Sequence, residues 1–533
     1  MCPRSQFQQR LYNSRYSIYS LFINPSKFIF SNCAIIYNLH YQKSNNALCQ
    51  FFNKNHHIAT IGSRSQILQQ EPFNLFSDLH DIAPVFYLKG EQIKILNNPK
   101  EFHEELKSRI LSAKKRIFLA ALYIGHTEKE LVNTIREALK KTPQLNVHIL
   151  VDYLRSTRVG SRINGESSVT LLSLLVEEFP DQVTVSLYHT PDLTGILKKV
   201  APPRINEGIG LMHIKAFGFD DDLILSGKHH QSEINAEFDT IIFPVTQMAP
   251  LNIRQDERAT LCVLDSIEKN GRQKVNENEL WTVIFSSGYF NFSKRYKEKI
   301  LGTNAKFRLL AAAPEANGFF RSKGISKYIP PAYTWIEKQF YNEVCRRGKE
   351  HIIKIIEYNR SGWTFHAKGL WCYNNGETRP SLTMIGSPNY GYRSTERDLE
   401  AEIIIITKNT SLREALHLES SRLSEYTEVV NAETFQRPER KVPYLVRVAT
   451  SMIKTMFSFK QISDEEPNAQ DYRIQANEIL TDAVRGQDEK DEKVEEDKSN
   501  VQISGCKHSV PKLNSLVQDY FDSNCKKLDN SDI

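Results

Sequence analysis

The feature that most constrains the fold is a series of short apolar segments that appears twice in the same order along the chain. The two series occupy residues 116–227 and 280–389, and each contains one His-x-Lys triplet. The triplets open the runs HIKAFGF (213–219) and HAKGLWCY (366–373), and each run is followed by a further apolar segment and a glycine. Repetition at this length indicates two copies of one structural unit.

Each copy alternates strand-like and helix-like segments. In the first copy the apolar runs RIFLAALYIG (116–125) and NVHILVDYL (146–154) are separated by EKELVNTIREALKK, whose apolar residues recur with a helical period. Ahead of them, Asn98 and Pro99 stand where the cap and first turn of another amphipathic helix are expected. This alternation predicts an α/β protein of two duplicated units, with mixed, largely parallel sheets and one active site between the units.

The repeated triplet places an imidazole and an ammonium group on one face of a strand. Side chains alternate along a strand, so His366 and Lys368 point the same way, as do His213 and Lys215. With 15 histidines in the chain, one His-x-Lys is expected by chance, but two at equivalent places of a duplicated unit indicate a shared function. A pair of satisfied core histidines does not account for the repetition.

Two histidines and two lysines suit displacement at a phosphodiester. Phosphoryl transfer needs a nucleophile in line with the leaving group and positive charge on the equatorial oxygens. One histidine can attack phosphorus and form a phosphohistidine while the other protonates the departing oxygen, and the lysines can hold the non-bridging oxygens. The residues leave open which histidine is the nucleophile. No metal is required, and the sequence offers no cluster of metal ligands.

Side chains that follow the triplets extend the predicted site. Gly386, Ser387 and Asn389 come after the second triplet and offer hydrogen-bond donors to the same phosphate oxygens. Asp220, seven residues after His213, is predicted to orient an imidazole or a lysine. The prediction is therefore of one phosphate site to which both units contribute.

These residues carry a resemblance to a known family. HIKAFGFD and HAKGLWCYNNGETRPSLTMIGSPN resemble the two motifs of the phospholipase D superfamily. GWTFHAKGLW, IGSPNYGYRSTERDLEAE, PEANGFF and SSGYFN are similar to its members that use CDP-diacylglycerol and glycerol 3-phosphate. The resemblance covers roughly residues 90–460. It implies formation of phosphatidylglycerophosphate and CMP, the committed step of phosphatidylglycerol and cardiolipin synthesis, through a phosphohistidine and without a cofactor.

The resemblance also implies roles for individual residues. The catalytic residues it implies are His213, Lys215, Asp220, His366, Lys368, Ser387 and Asn389. Those implied for phosphate contacts or histidine orientation, where the alternative is a solvated charged turn, are Arg393, Arg397 and Glu400. Tyr373 occupies the place in the second copy that Asp220 has in the first. The implied nucleotide-binding stretch is ALYIGHTE (121–128), which also fits an ordinary core strand and turn.

The chain departs from the family pattern after Gly227. The family continues Gly-Ala-Asn-Leu-Ser, whereas this chain has KHHQSEINAEFD, and the resemblance resumes near IIFPVTQMAP (241–250). Three explanations stay open: a mis-joined coding sequence, a true deletion in which His229 replaces the lost asparagine, or an inactive half. The first is preferred because both flanks keep the family pattern. It predicts that the natural transcript encodes an additional segment between Gly227 and Ile241.

Charge distribution, rather than total charge, bears on location. The net charge of +6 is mild for 533 residues, but residues 1–70 carry seven cations and no acid. This leader is predicted to be a mitochondrial presequence, with a basic disordered arm as the alternative. Eight cysteines without a C-x-x-C pair suit a reducing compartment. No apolar run approaches the ~18–20 residues of a membrane span, so contact with an anionic mitochondrial membrane, expected at the inner membrane, is predicted to be peripheral.

The sequence predicts five regions. They are a leader (1–70), a first half (85–240), a second half (241–440), a basic amphipathic segment (441–460) and a disordered polar tail (461–533). The amphipathic segment either lies on an anionic membrane surface or packs on the core. Because the cations concentrate in the leader, with no aromatic-interleaved basic patch evident elsewhere, nucleic acid is not an expected partner. A lipid hydrolase, a nuclease and a degenerate lipid-binding homologue remain the alternative functions.

Overall fold

The structure is a computed structural model that places two β-sheets and their covering helices. The residues it describes are 67–125, 128–158, 167–193, 206, 209–225, 228–231, 238–271 and 279–450. All of them belong to one unit, Met1–Ser458, and the second unit, Phe459–Ile533, lies outside the described residues. The predicted leader up to residue 66 and the predicted tail also fall outside that range.

The strands of the described residues are numbered in chain order. They are β1 (Phe86–Leu88), β2 (Ile93–Ile95), β3 (Arg116–Ala121), β4 (Asn146–Asp152), β5 (Val183–Tyr188), β6 (Ala216–Phe219), β7 (Asp222–Leu225), β8 (Lys228–Gln231), β9 (Thr240–Met248), β10 (Ile253–Arg254), β11 (Thr282–Ser286), β12 (Lys306–Ala312), β13 (Ile353–Tyr358), β14 (Gly369–Tyr373), β15 (Leu382–Gly386), β16 (Leu399–Thr407) and β17 (Thr427–Val429).

Two sheets share one internal order. The smaller sheet runs β2-β8-β7-β6-β3-β4-β5 and the larger runs β1-β9-β16-β15-β14-β11-β12-β13-β17, with β10 paired to β9. The run β7-β6-β3-β4-β5 therefore matches β15-β14-β11-β12-β13. In both runs the strand after the His-x-Lys triplet, β6 or β14, lies antiparallel between its neighbours. The predicted duplication of an α/β unit with mixed sheets is confirmed.

The prediction of largely parallel sheets is wrong. Parallel pairing is confined to β3-β4-β5 in the smaller sheet and β11-β12-β13 in the larger. The remaining pairings of named strands within the described residues are antiparallel. The physical reason is connection length, because strands joined by short turns, as β6 and β7 are, must run in opposite directions.

Helices cover the sheets and connect the parallel strands. The α-helices of the described residues are α1 (Pro99–Ser112), α2 (Lys129–Lys141), α3 (Tyr153–Ser156), α4 (Ser168–Glu178), α5 (Gln255–Gly271), α6 (Lys294–Gly302), α7 (Ile329–Arg346), α8 (Tyr392–Glu396) and α9 (Thr410–Leu423). Short 3-10 helices span Phe73–Asp81, Gly90–Gln92, Ala249–Leu251, Pro314–Ala316, Gly324–Tyr328, Thr434–Gln436 and Pro438–Arg440. No helix in this part of the chain combines the length and apolar character of a membrane span.

Local signals explain where individual helices start. The Asn98 side chain accepts a hydrogen bond from the Glu101 amide at 2.9 Å, and Pro99 occupies the first position of α1, as predicted. Helix α2 turns its apolar face, which includes Val132, Ile135 and Leu139, towards β3, β4 and β5. This helix therefore covers one face of the parallel strands, and β4 ends at Asp152, whose carboxylate accepts a hydrogen bond from the Met212 amide.

The two sheets pack against each other through a shared apolar core. This cluster combines Ala120, Tyr188 and Ala216 of the smaller sheet with residues of the larger sheet such as Trp371 and Ile403. The first strand, β1, lies within the segment predicted as the first half but pairs with β9 in the larger sheet. Because the core joins both sheets, their strand ends are held in a fixed relation, which is what a shared active site requires.

Candidate active site

The His213 triplet is bonded to the second half of the chain. The amide of His213 donates to the carbonyl of Leu399 at 2.9 Å, and the amide of Leu399 donates to the carbonyl of Leu211 at 2.8 Å. Met212 and Leu399 form the parallel bridge between these two segments. Residues 211–213 therefore extend alongside the start of β16, and this pairing brings the first triplet to the residues that follow the second.

Glu400 is the direct partner of His213. Its Oε2 atom lies 2.9 Å from Nδ1 of His213, and its Oε1 atom accepts a hydrogen bond from the Ser394 hydroxyl at 2.7 Å. Burial alone would raise the pKa of Glu400, but the charges of His213 and Lys215 and a hydrogen bond from Ser387 lower it to about 2. Glu400 is therefore a carboxylate at neutral pH, and it fixes the orientation of the His213 ring.

His366 is held by the strand and turn that precede α6. A Cβ atom built on Gly288 would lie 2.7 Å from Cδ2 of His366, so only glycine leaves room for the ring at this position. The Tyr289 ring meets the His366 ring edge-on at 5.3 Å between centroids and stacks on Tyr333 at 5.1 Å. Although part of His366 is exposed to solvent, desolvation by the surrounding protein and the charges of Lys368, His213 and Lys215 lower its pKa to about 3, so its imidazole is neutral.

Each lysine folds back onto its own histidine. Lys215 Nζ donates to the carbonyl of His213 at 2.9 Å and lies 3.4 Å from the Nε2 atom of that ring. Lys368 Nζ donates to the carbonyl of His366 at 2.9 Å and lies 2.6 Å from its Nδ1 atom. Burial lowers the pKa of both ammonium groups, and the charge of Lys215 lowers that of Lys368 further. An anion bound between them would reverse this effect.

Two buried carboxyl groups support the backbone in front of His213. The amide of Leu211 donates to Asp398 Oδ1 at 2.9 Å, and the amide of Met212 donates to Asp152 Oδ2 at 3.0 Å. Asp152 ends β4 and Asp398 precedes β16, so the two acids come from different halves. Burial raises the pKa of Asp152 to about 6 against the lowering effect of its hydrogen bonds to the amides of Arg155 and Met212. These acids position the first triplet.

Ser387 and Asn389 form hydrogen bonds that hold together the segments around the second triplet. The Ser387 hydroxyl accepts from the Ala401 amide at 3.1 Å, next to Glu400, so it links the end of β15 to β16. The amide of Asn389 donates to the Ser394 hydroxyl at 2.9 Å, and its carbonyl accepts from the Ser287 hydroxyl. The predicted donation from Ser387 to a phosphate stays a prediction, because in the structure that hydroxyl is buried against the backbone.

The predicted orienting role of Asp220 requires correction. Its carboxylate accepts hydrogen bonds from the amides of Lys114, Lys115 and Arg116 at 2.8–2.9 Å. Strand β6 separates it from Lys215, so the carboxylate lies at the far end of that strand from the triplet. Burial would raise the pKa of Asp220, but these amides and Arg116 lower it. Asp220 therefore stabilises the turn into β3, and Glu400 has the orienting position.

The two arginines predicted after the second triplet, Arg393 and Arg397, contact different kinds of side chain. Arg393 Nε donates to both carboxylate oxygens of Asp398, at 2.9 and 3.1 Å, which places it beside the acid that holds Leu211. Arg397 stacks its guanidinium on the Tyr392 ring at 5.5 Å. In the stretch 121–128, the exposed Tyr123 ring lies 5.2 Å from the Arg155 guanidinium, while residues 126–127 lie outside the described part.

Sequence reasoning missed Asp152, Asp398, Gly288 and Tyr289. A signal existed for Asp152, because an acid at the end of an otherwise apolar strand lies where parallel strands place functional groups. The altered stretch after Gly227 is described only as β8, with residues 226–227 and 232–237 outside the described range. Within the described residues, no group of three or more His, Cys, Asp or Glu side chains is arranged to hold a metal ion.

The close contact between Gly288 and His366 supports a prediction. We expect Gly288→Ala to lower kcat about a hundredfold, because the added methyl must displace the His366 ring by a substantial fraction of an ångström. The matched control is Gly302→Ala, where a Cβ atom meets no other atom within 4 Å. Steady-state kinetics and thermal unfolding of both variants check this. Equal kcat values for the two variants would contradict the placement of His366.

Comparison with known proteins identifies relatives that align over most of this chain. No family model matches the chain. The mitochondrial CDP-diacylglycerol–glycerol-3-phosphate 3-phosphatidyltransferase of Gallus gallus is 35% identical over 496 residues, covering 72% of this chain and 86% of the relative. The enzymes of that name from Homo sapiens and Saccharomyces cerevisiae are 33% and 32% identical and cover 75% and 70% of this chain, with 89% of each relative aligned.

A solved structure is similar enough to this chain for their folds to be compared. Phosphatidylserine synthase of Haemophilus influenzae has a TM-score of 0.55 at 16% identity, covering 74% of this chain and 99% of its own.

The alignment with the Gallus gallus relative is longer than the part of this chain that it covers. It spans 496 residues, whereas 72% of 533 residues is about 384, so about 110 aligned positions have no counterpart in this chain. The relatives are therefore longer within the aligned region.

Proposed function

The chain belongs to the CDP-diacylglycerol–glycerol-3-phosphate 3-phosphatidyltransferase family, and from this premise we propose a two-step transfer through a phosphohistidine on His213. It is a transferase that moves the phosphatidyl group of CDP-diacylglycerol to glycerol 3-phosphate and releases CMP. The identity of the nucleophile, the roles of the lysines and the binding of each substrate are the parts that rest on the site's geometry.

The observation that carries the mechanism is an excess of cationic groups at the meeting point of the two triplets. The charges of His213 and Lys215 act on His366 and that of Lys215 acts on Lys368, so the two triplets lie close together, and Glu400 is the carboxylate bonded to a triplet histidine. Burial and the charge of Lys215 lower the pKa of Lys368, as expected for two cations held close together, although Glu400 opposes this effect. The phosphate of the donor lipid supplies further negative charge, and the lysines hold its non-bridging oxygens.

The first step uses His213 as nucleophile. Its Nδ1–H donates to Glu400, which leaves the lone pair on Nε2 free to attack phosphorus. The N–P bond forms as the bond from phosphorus to the bridging pyrophosphate oxygen breaks, and CMP leaves with that electron pair. Glu400 stabilises the positive charge that develops on the ring. Because CMP leaves as a phosphate whose second pKa is near 6, its departure needs little acid assistance.

The second step uses His366 as general base. A hydroxyl of glycerol 3-phosphate attacks the phosphorus, its proton passes to His366, and the N–P bond breaks with the electron pair returning to His213. A neutral imidazole is required for this step, and desolvation together with neighbouring cations keeps His366 neutral. Bound anionic phosphate opposes those cations and raises the basicity of His366 when the acceptor is present.

Release of CMP tests this function and separates it from its alternatives. Purified protein is incubated with CDP-diacylglycerol carrying a labelled cytidine, with and without glycerol 3-phosphate. The transferase is expected to form labelled CMP and phosphatidylglycerophosphate when the acceptor is present. Equal CMP release without acceptor indicates a lipid hydrolase, and absence of CMP in both cases indicates a non-catalytic lipid-binding protein. With donor labelled at the lipid phosphate instead, samples denatured in detergent at neutral pH, which preserves the acid-labile N–P bond, are expected to retain label on the protein, and His213→Ala is expected to lack it.

Membership of this family also bears on where the enzyme is located in the cell. The relatives named above from Gallus gallus and Homo sapiens are mitochondrial by name, and the acid-free leader of this chain suits import into that organelle. We place the enzyme in the mitochondrion, with peripheral attachment to the inner membrane as part of the proposal. Support for attachment comes from the donor, whose acyl chains remain in the bilayer while its phosphate is transferred.

The junction after Gly227 yields a separate prediction. About 110 positions of the Gallus gallus relative have no counterpart here, and the family pattern breaks between Gly227 and Ile241. We expect the transcript to encode an additional segment at this point and the chain as written to turn over weakly. Sequencing of the transcript across the junction, with kinetics of both chains, checks this. A transcript identical to the present sequence, together with full turnover, would contradict it.

A further inference from the structure

Two loops beside the active site expose large aromatic side chains. The loop after β12 carries Phe320 and Tyr328, which are 41% and 43% exposed, and the loop after β13 carries Trp363, which is 51% exposed. Gly362, with a φ of +77°, makes the turn that precedes Trp363. Exposure of large apolar rings in water is unfavourable, so a grouping of such rings marks an interaction surface.

These loops contact each other and the catalytic centre. The amide of Phe365 in one loop donates to the carbonyl of Ala316 in the other at 2.9 Å. Tyr289 bridges to the site, since its ring centroid lies 6.1 Å from that of Phe319 and 5.3 Å from that of His366. Trp363 is only three residues from His366 along the chain. The exposed rings therefore lie at the margin of the site.

Cations accompany the rings. Residues 316–336 contain three lysines or arginines and no acid, and residues 358–376 contain two and no acid. The Arg360 guanidinium lies 4.2 Å from the Trp363 ring centroid, Arg321 lies 5.1 Å from Phe320, and Lys327 lies 4.9 Å from Tyr328. The surface is thus basic as well as aromatic. Sequence analysis overlooked it because its members lie in two loops about forty residues apart.

We propose that this surface docks the enzyme on an anionic lipid bilayer. It is called the aromatic rim here and comprises Phe320, Arg321, Lys323, Lys327, Tyr328, Arg360 and Trp363. Aromatic rings prefer the interface between headgroups and acyl chains, and lysines and arginines are attracted to anionic headgroups. The inference rests on the proposed function, because a donor whose acyl chains stay in the bilayer reaches His366 only if the site faces the membrane surface.

Vesicle sedimentation of the full chain tests the rim. Vesicles of phosphatidylcholine alone and with 30% phosphatidylglycerol (about the anionic content that gives a strong surface potential) are mixed with protein. The protein is expected to bind the anionic vesicles, and added salt is expected to weaken this binding. The triple variant Phe320→Ala/Tyr328→Ala/Trp363→Ala and the charge variant Arg321→Glu/Lys323→Glu/Lys327→Glu are each expected to lower the bound fraction at least about fivefold. Leu174→Ala, which alters a 55% exposed side chain on α4, is expected to bind as the parent does.

Two further measurements keep docking separate from folding and from catalysis. Activity on a water-soluble, short-chain CDP-diacylglycerol is expected to be unchanged in the rim variants, whereas activity on vesicle-borne donor falls with binding. Brominated lipids are expected to quench the fluorescence of the parent more strongly than that of Trp363→Phe, because Trp281 and Trp371 are buried and Trp335 is half-buried. Failure of the parent to use the soluble donor would refute the proposed function while leaving the binding result standing.

Three outcomes would overturn the proposal that the aromatic rim docks on an anionic bilayer. One is unchanged vesicle binding in both rim variants. Another is loss of binding only in Tyr444→Ala/Leu445→Ala, since these exposed residues belong to the basic segment predicted at 441–460, of which the structure describes helical residues 444–450. The third is competition by single-stranded DNA or RNA that displaces the enzyme from vesicles at equal charge concentration, which would identify the rim as a nucleic-acid surface.

Discussion

Replacement of either triplet histidine by alanine is expected to lower kcat at least about a thousandfold. His213→Ala removes the proposed nucleophile and His366→Ala removes the proposed base, so each variant is expected to stop one of the two steps. The parent for these variants is the chain that includes any segment the transcript encodes after Gly227. Single-turnover release of CMP and steady-state transfer to glycerol 3-phosphate are the measurements.

The double variant distinguishes a shared site from two separate ones. If both histidines act on one phosphorus, His213→Ala/His366→Ala is expected to be little worse than either single variant, since each already stops the transfer. Multiplicative losses would indicate two independent sites, one in each unit. The steps also differ, because His366→Ala is expected to retain a burst of CMP from the first step, whereas His213→Ala is expected to lose it. Near-normal turnover in either single variant refutes the shared site.

Glu400→Gln is expected to lower kcat by about two to four orders of magnitude. The amide retains a similar shape but no longer supplies the negative charge that stabilises His213 as the N–P bond forms. It also allows the ring to adopt the wrong tautomer. Pre-steady-state CMP release is the measurement, because the loss is expected in the first step. A normal burst followed by slow transfer would assign Glu400 to the second step instead.

Glu402 provides the matched control for this variant. It lies two residues further along β16, and burial and the charge of Asp256 raise its pKa well above the ordinary value, the opposite direction from Glu400, so Glu402→Gln is expected to alter the charge of the site less than Glu400→Gln does. We expect near-parent activity from it. For Glu400 the pKa is lowered from 4.5 to about 2, so its ionised form stabilises the fold above pH 4.5 and this contribution disappears as pH falls towards 2. The stability difference between parent and Glu400→Gln is therefore expected to shrink over that range.

Much of the fold could be predicted because its signals are local. Asn98 and Pro99 mark the start of α1 by capping chemistry, and the alternation of apolar residues marks the strands before any tertiary contact forms. The duplication was evident because the two triplets precede equivalent strands. The direction of strand pairing was less accessible, since it depends on which strands are joined by short turns, and that is a property of the assembled sheets.

The residues that sequence reasoning misplaced are those whose roles depend on distant partners. Asp220 has the spacing of a catalytic acid, yet its carboxylate is satisfied by three amides of a turn about a hundred residues earlier. Asp152 and Asp398 act through backbone amides of residues 211–212, and the amino-acid sequence around either acid does not indicate such a contact. Gly288 matters only because the His366 ring fills the space where a side chain would be.

The bond between His213 and Glu400 has a consequence for biosynthesis of the enzyme. The two residues are 187 positions apart, so at about 5–20 residues per second a ribosome needs about 10–40 s to add Glu400 after His213. Throughout that interval the nascent chain carries an unoriented imidazole, and residues 211–213 have no strand to pair with. Under the proposed mechanism, completion of the second half is therefore the event that creates a nucleophile. Chains that stop short of residue 399 are expected to be inert towards lipid rather than uncontrolled hydrolases.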